Sequence, residues 1–307
     1  MPSIQNPLGA LPARFRRPRL LIVGCGDIGL RVAAPLTQRV RVMALTSSPQ
    51  RKAELRRHGV VPLVGNLDQP ASLARLAGLA NRVLHLAPPP GEGWGDPRTR
   101  HLLQRLRGRS LPDHLVYAST SGVYGDCQGD WVSEVRPPRA DTPRARRRVD
   151  AEQQVRYWGR STGTRVSVLR VPGIYAADRE GGTPQVRLSK GTPVLRPQDD
   201  VYTNHIHADD LAAACRAALW RGWPQRVYNI NDDTTLLMGD YFDLAADLYG
   251  LPRPPRIARA GAQEKLPLML LSFMSESRRL VNTRMKQELR LALRYPTVRE
   301  GLLAGRP

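Results

Sequence analysis

The tightest chemical signature in the chain is Gly24-Cys25-Gly26-Asp27-Ile28-Gly29, a G-x-G-x-x-G set between the apolar run Leu20–Val23 and an amphipathic run from Ile28. Gly24 permits a tight turn. Gly26 lets the backbone approach a pyrophosphate with no Cβ in the way, and Gly29 lets a helix pack closely on a strand. The free amides at the start of that helix, from Asp27 and Ile28 onward, suit phosphate oxygens. Loop, preceding strand and following helix together predict a dinucleotide site.

The residues after the second apolar run bear on which dinucleotide. An NAD site usually places Asp or Glu there to hold the ribose 2′-hydroxyl. This chain has Thr46-Ser47-Ser48 and then Arg51. Hydroxyls beside a cation suit a 2′-phosphate, so NADP is the favoured cofactor and NAD the alternative. Ser47-Ser48-Pro49 also reads simply as the cap of the next helix.

Two further groups could do chemistry. Arg136, Arg139, Arg144, Arg146, Arg147 and Arg148 form the densest basic cluster. It suits a phosphorylated or carboxylate substrate or a nucleic-acid backbone, and equally reads as a solvated helix face. His205 and His207 are two apart on an expected strand and so share a face. No Cys or carboxylate cluster completes a ligand set, and no metal is expected.

These residues need a scaffold, and short apolar runs alternating with longer amphipathic ones describe it. Strands are expected at Leu20–Val23, Val40–Leu45, Val60–Leu63, Val83–Ala87, Leu115–Ser119 and Val166–Arg170. Helices are expected at Ile28–Thr37, around Gln50–His58, and at Leu73–Leu79, Thr99–Arg107 and Thr142–Trp158. Behind them come loop-rich stretches and a helix Asp209–Trp220 opened by Asp209. A returning strand Arg226–Ile230 and a helix Gly239–Tyr249 follow. The fold class is α/β: a Rossmann doubly wound parallel sheet with a smaller C-terminal substrate-binding region. Residues 1–17 read as a flexible extension, 18–175 as the dinucleotide-binding core and 176–307 as the C-terminal region, with 204–230 returning to the core.

Composition narrows the class. The 307 residues carry 47 Lys+Arg against 27 Asp+Glu, a net charge of +20, and only four of the cations are Lys. An excess made of scattered arginines, with no aromatic-interleaved basic stripe, reads as compositional bias rather than a specific nucleic-acid surface. Cys25, Cys127 and Cys215 are odd in number and far apart, which fits a reduced, cytoplasmic chain. The longest apolar run, Leu266–Met274, is too short to cross a membrane.

Ala118-Ser119-Thr120-Ser121-Gly122-Val123-Tyr124-Gly125-Asp126 resembles the S-T/S-x-x-V-Y-G stretch of the extended short-chain dehydrogenases/reductases, the NAD(P)-dependent epimerase/dehydratase group. Other segments agree with it. His85-Leu86-Ala87 resembles the H-x-A end of strand four, which puts Ala87 on the cofactor. Arg170-Val171-Pro172-Gly173-Ile174-Tyr175 resembles the segment flanking the nicotinamide, which implies Pro172 and Ile174. Asn204–Asp210 and Val227–Ile230 resemble later segments of the family, and Asn282–Leu289 and Tyr295-Pro296 also fit. The resemblance runs from about residue 18 to the end.

What the resemblance implies for chemistry is uneven. Thr120 takes the place of the Ser/Thr that hydrogen-bonds the substrate oxygen. The family's acid/base pair is Y-x-x-x-K, in which the Lys lowers the phenol's pKa and bonds the nicotinamide ribose. The matching segment, Thr142 to Glu152, keeps the T-P start and the A-E end but has Arg144 and Arg148 at the two positions. Arg148 retains a long cation able to hold a ribose hydroxyl. Arg144 cannot exchange protons near neutral pH, since a guanidinium's pKa lies above about 12. Tyr124 and Tyr202 are candidate stand-ins for the phenol. Asp96 is nearest by spacing to the family's Asn, which has no clear counterpart.

The expected function is an NAD(P)-binding, epimerase/reductase-like protein acting on a small anionic or sugar-like substrate, with a homodimer compatible. The alternatives are a non-catalytic NADP-binding sensor or scaffold, and a basic nucleic-acid-associated protein.

Overall fold

The computed structural model describes residues 17–304 except 180, 267–270, 272 and 273. The expected N-terminal extension, apart from Arg17, and much of the run Leu266–Met274 lie outside the described residues.

Seven strands form one parallel sheet: β1 Arg19–Val23, β2 Arg41–Thr46, β3 Val61–Val64, β4 Arg82–His85, β5 His114–Thr120, β6 Arg165–Val171 and β7 Arg226–Asn229. Their spatial order is β3-β2-β1-β4-β5-β6-β7. The order reverses between β1 and β4, which opens a crevice at the carboxyl ends of those strands.

Alternation along each strand divides the core in two. Leu20, Ile22, Val42 and Ala44 face one side, while Leu21, Val23, Met43 and Leu45 face the other. Both faces are covered by helices, so the strands read as continuous apolar runs. The first side is covered by α1 (Asp27–Ala33), by Leu55 of α2 (Lys52–Arg57) and by α5 (Ala208–Arg221), with Met285 and Leu289 from the C-terminal segment beside them. The second side is covered by α3 (Pro97–Leu106) and α4 (Pro143–Thr162). A separate apolar cluster, including Tyr175, Leu195, Met238, Tyr241, Phe242 and Leu302, supports the C-terminal region.

Local chemistry sets the element ends. Thr142 accepts from the Ala145 amide at 3.2 Å to cap α4, Pro143 takes the first helical position, and left-handed Gly163 stops it. α1 ends at Ala33 rather than Thr37, because Pro35 has no N–H to donate and its ring would crowd the preceding turn. The stretch expected as a helix at Leu73–Leu79 is a 3₁₀ segment, Pro70–Leu76, stopped by Gly78 at φ +67°. α5 is opened by His207, not Asp209: the imidazole Nδ1 accepts from the Asp209 amide at 3.2 Å. Asp209 is a first-turn acid, placed where the helix dipole favours it.

Many arginines are held on carbonyls and rings across the molecule. Arg221 donates to Leu289 O at 3.0 Å, Arg82 lies over Trp220, and Arg226 pairs with Glu288. Among the described residues no helix is long and apolar enough to cross a membrane.

Candidate functional site

A cleft of about 670 Å³ opens at the crevice above β1, β2, β4 and β5. Gly24, Gly26, Asp27, Ile28 and Gly29 form its floor, and Ser47, Ser48, Arg51, Ala87, Arg148 and Ile174 line its walls. Each glycine has a distinct reason. Gly24 sits at φ +87°, and a Cβ there would come within 2.5 Å of the Ala87 amide nitrogen. Gly29 packs against the strand, with a Cβ position 3.3 Å from Ile22 Cγ2 and 3.1 Å from Cys25 Sγ. At Gly26 a Cβ would meet nothing within 4 Å. That open space over the turn is the cradle a pyrophosphate requires. Gly26 also begins α1 with no side-chain cap, so the first-turn amides are not satisfied by any side chain.

At the end of β2, Thr46 turns the chain by accepting from the Ser48 amide at 3.2 Å. Ser47 and Ser48 are left exposed on the cleft. Arg51 donates to Cys25 O at 2.8 Å and grips Glu54 through Nε and Nη2, each at 3.0 Å. The cation is therefore fixed against the glycine-rich loop and carries its own carboxylate. Burial pushes the Cys25 thiol up to about 11, which leaves it an inert packing group.

A second cleft of about 880 Å³ adjoins the first, and Ile174 and Arg179 line both. Thr120 lines the second cleft, next to Ser119 on the first, with its hydroxyl accepting from the Gly122 amide at 3.3 Å. Arg144, Arg147, Pro172, Tyr202, His205 and Arg278 are also on its wall. Pro172 thus faces this cleft, while its neighbour Ile174 reaches both.

α4 carries the two arginines to different places one turn apart. Arg144 lines the second cleft and Arg148 the first, where Arg148 donates to Ala118 O at 2.8 Å and to the Tyr117 hydroxyl at 3.1 Å. Below them Glu152 accepts from Ser119 at 2.6 Å and from Arg170 at 2.7 Å, in a pair almost fully buried. This network ties the end of β5 to α4 and β6, and so fixes the backbone that presents Thr120.

Two expectations are corrected. Tyr124 does not reach either cleft: its hydroxyl donates to Asn229 Oδ1 at 2.7 Å in the core, under Arg170. Burial also pushes its pKa up, so it is a packing residue rather than a proton carrier. Asp96 is buried as the cap of α3, accepting from the Thr99 amide at 3.1 Å and the Thr99 hydroxyl at 2.6 Å, and lines neither cleft. His205 and His207 share a face, and the Tyr175 ring packs edge-on against both. Burial holds His205 neutral, with its pKa lowered to about 4. Among the described residues no group of three or more His, Cys, Asp or Glu could hold a metal.

Sequence reasoning passed over several residues of the clefts. Asn66, Leu67 and Asp68 follow β3 on the wall of the first, where Arg98 grips Asp68 through two contacts of 2.7 Å. The signal was their place at the carboxyl end of a strand. Arg179, Arg187, Glu276 and Arg278 had no such signal, because they reach the second cleft from the irregular C-terminal half.

Comparison with known proteins places this geometry. The chain matches the NAD dependent epimerase/dehydratase family over residues 20–231. A functionally unknown conserved protein from Silicibacter pomeroyi is 32% identical, with 94% of this chain and 97% of that one covered at a TM-score of 0.80. The UDP-glucose 4-epimerase of Thermotoga maritima, solved with UDP-glucose, is 19% identical, with 93% and 96% covered at a TM-score of 0.74. The UDP-glucuronic acid 4-epimerase of Bacillus cereus, solved in complex with NAD, is 17% identical, with 93% and 96% covered at 0.73. The latter two share the fold. No curated protein sequence matches the chain. The family match covers well over half of the chain, including both the glycine-rich loop and the segment around Thr120, and the chain belongs to the NAD dependent epimerase/dehydratase family.

Proposed function

We propose that the chain holds a nicotinamide dinucleotide, NADP(H) in preference to NAD(H), in the first cleft and a small anionic or sugar-like substrate in the second. The observation that carries this reading is the meeting of the two clefts beside Thr120. Five arginines (Arg144, Arg147, Arg179, Arg187 and Arg278) line the second cleft, with Glu276 the one carboxylate among its described lining residues. A surface of that sign concentrates phosphate or carboxylate groups.

When bound, the coenzyme supplies a hydride acceptor or donor. The chain's own parts do the rest. Gly24, Gly26 and Gly29 seat the pyrophosphate, and Ser47, Ser48 and Arg51 face the 2′ end of the adenosine ribose. Ala87 and Ile174 flank the dinucleotide, and Arg148 offers donors to the nicotinamide ribose. Thr120 orients the reacting oxygen of the substrate, and Arg144 contributes positive charge without a transferable proton. A second reading, a non-catalytic nucleotide-binding protein, draws on that last feature, since a guanidinium stands where the family's phenol would be.

Titration calorimetry with NADPH and NADH tests the coenzyme assignment. NADPH is expected to bind about tenfold more tightly, the scale of one charge-assisted hydrogen bond to the 2′-phosphate. NADH binding tenfold tighter would overturn it. Nucleic acid is expected to bind only weakly, with affinity collapsing between about 50 and 200 mM salt as counterion release loses its drive. A sequence-selective complex that survives that change would instead assign the basic surface a function of its own.

A further inference from the structure

Three carboxylates and two arginines from separate parts of the chain meet at the mouth of the glycine-rich loop. Asp27, the first residue of α1, is held on one oxygen by Arg31 at 2.7 Å and faces Arg179 Nη1 with the other at 3.0 Å. Arg31 also reaches Asp178 at 2.6 Å and Asp209 at 2.5 Å. Arg31 is thus saturated with partners. Arg179 is not: its Nε is buried without a hydrogen-bond partner, and its Nη1 approaches Asp27 without the alignment of a hydrogen bond. Leaving buried donors unmade costs free energy that a better acceptor recovers.

The loop that carries Arg179 is a closed turn. Gly182 donates to Arg179 O at 3.0 Å, and Ala176 donates to Gly182 O at 3.2 Å. A Cβ at Gly182 would fall 2.3 Å from Ala176 O, so the turn closes only with glycine there. It holds Arg179 at the seam between the two clefts, on the lining of both. Among the described residues, Asp27, Asp178 and Asp209 pair with Arg31 and Arg179, and His207 Nδ1 lies 3.8 Å from Asp209. Two guanidiniums thus serve three carboxylates beside a loop whose geometry fits a pyrophosphate.

We propose that Arg179 is a ligand of the dinucleotide's pyrophosphate: on binding it exchanges Asp27 for the phosphate oxygens, while Arg31 keeps Asp27 neutralised. The inference rests on the dinucleotide reading above and adds a residue from the C-terminal half to it. Arg179 then couples the filling of the first cleft to the wall of the second. Asp27 becomes a placeholder that competes with the ligand for the guanidinium.

The two partners must therefore act with opposite sign, which a merely structural pair would not do. Arg179→Ala is expected to weaken NADPH and NADH equally, by about ten- to a hundredfold, because the pyrophosphate is common to both. Arg179→Lys should recover part of the loss. Asp27→Asn is expected to tighten both coenzymes by about two- to fivefold, the scale of removing one exposed repulsive charge. The measurement is a fluorescence titration of each purified variant, with thermal melting alongside. Unchanged binding in Arg179→Ala overturns the proposal, as does a loss confined to NADPH, which would place Arg179 on the 2′-phosphate. Weakening in Asp27→Asn overturns it too, by making the pair a scaffold. A wild-type chain that binds neither coenzyme removes the dinucleotide reading itself, and this assignment falls with it.

Discussion

Gly26→Val is expected to lower coenzyme affinity by at least about a hundredfold while leaving the protein folded. A Cβ at Gly26 would meet no protein atom within 4 Å, so a branched side chain enters only the volume the pyrophosphate would fill. Gly26 sits at φ −84°, outside the left-handed region that favours glycine. The cost to the fold is the poorer start of α1, about 1 kcal/mol. Displacing a charged group from its amide donors costs several charge-assisted hydrogen bonds at once, each worth about 1.5–3 kcal/mol. Gly24→Ala makes a less clean test, since φ +87° and the contact at 2.5 Å with the Ala87 amide would disturb the fold as well. Titration with NADPH beside a melting curve checks the prediction. Normal binding by Gly26→Val would remove the loop from the site.

The second large effect concerns the acid/base position. Arg144→Tyr combined with Arg148→Lys is expected to create or raise NADPH-dependent reduction by about 10²–10⁴-fold, the usual yield of a positioned general acid. α4 already delivers residue 144 to the second cleft and residue 148 to the first, one turn below. A phenol at 144 would have a proton to give, and an ammonium at 148 would lower its pKa. Coenzyme binding should change little, because Lys keeps the cation. In that background Thr120→Val should cut turnover by about 10², on the scale of losing one positioned polar group at a reacting oxygen. Phosphorylated and carboxylated carbonyl compounds, followed at the nicotinamide absorbance, suit the arginine-lined cleft. A native chain that is a fast enzyme, indifferent to Thr120→Val and inactivated by Arg144→Tyr, would mean that the chemistry runs through other residues.

The parts of the fold that were legible in the sequence are those where local chemistry and periodicity agree. The strands of the sheet are apolar on both faces, and their ends fall within a residue or two of Leu20–Val23, Leu115–Ser119 and Val166–Arg170. Thr142 and Pro143 announce α4 because a cap and a first-turn proline have no competing use there. Pro35 is a readable stop for α1 that the amphipathic pattern beyond it obscures. Asp209 has the residue type of a cap, yet the neighbouring His207 imidazole takes the amide first. Tyr124 and Asp96 show a different limit. Spacing gives a residue's place along an element but not the partner its side chain finds, and both are satisfied inside the core. Arg179, Arg187 and Arg278 are invisible as a group, since only the tertiary fold gathers positions this far apart onto one wall.

The central claim is that two adjoining clefts hold a dinucleotide and an anionic substrate, with Thr120 where they meet. Diffraction from crystals of this protein soaked in NADPH measures it most directly. Density is expected for the pyrophosphate across Gly24–Gly29, for the 2′-phosphate beside Ser47 and Ser48, and for the nicotinamide between Ile174 and Thr120. A nucleotide bound elsewhere on the basic surface, with the glycine-rich loop left empty, would contradict it.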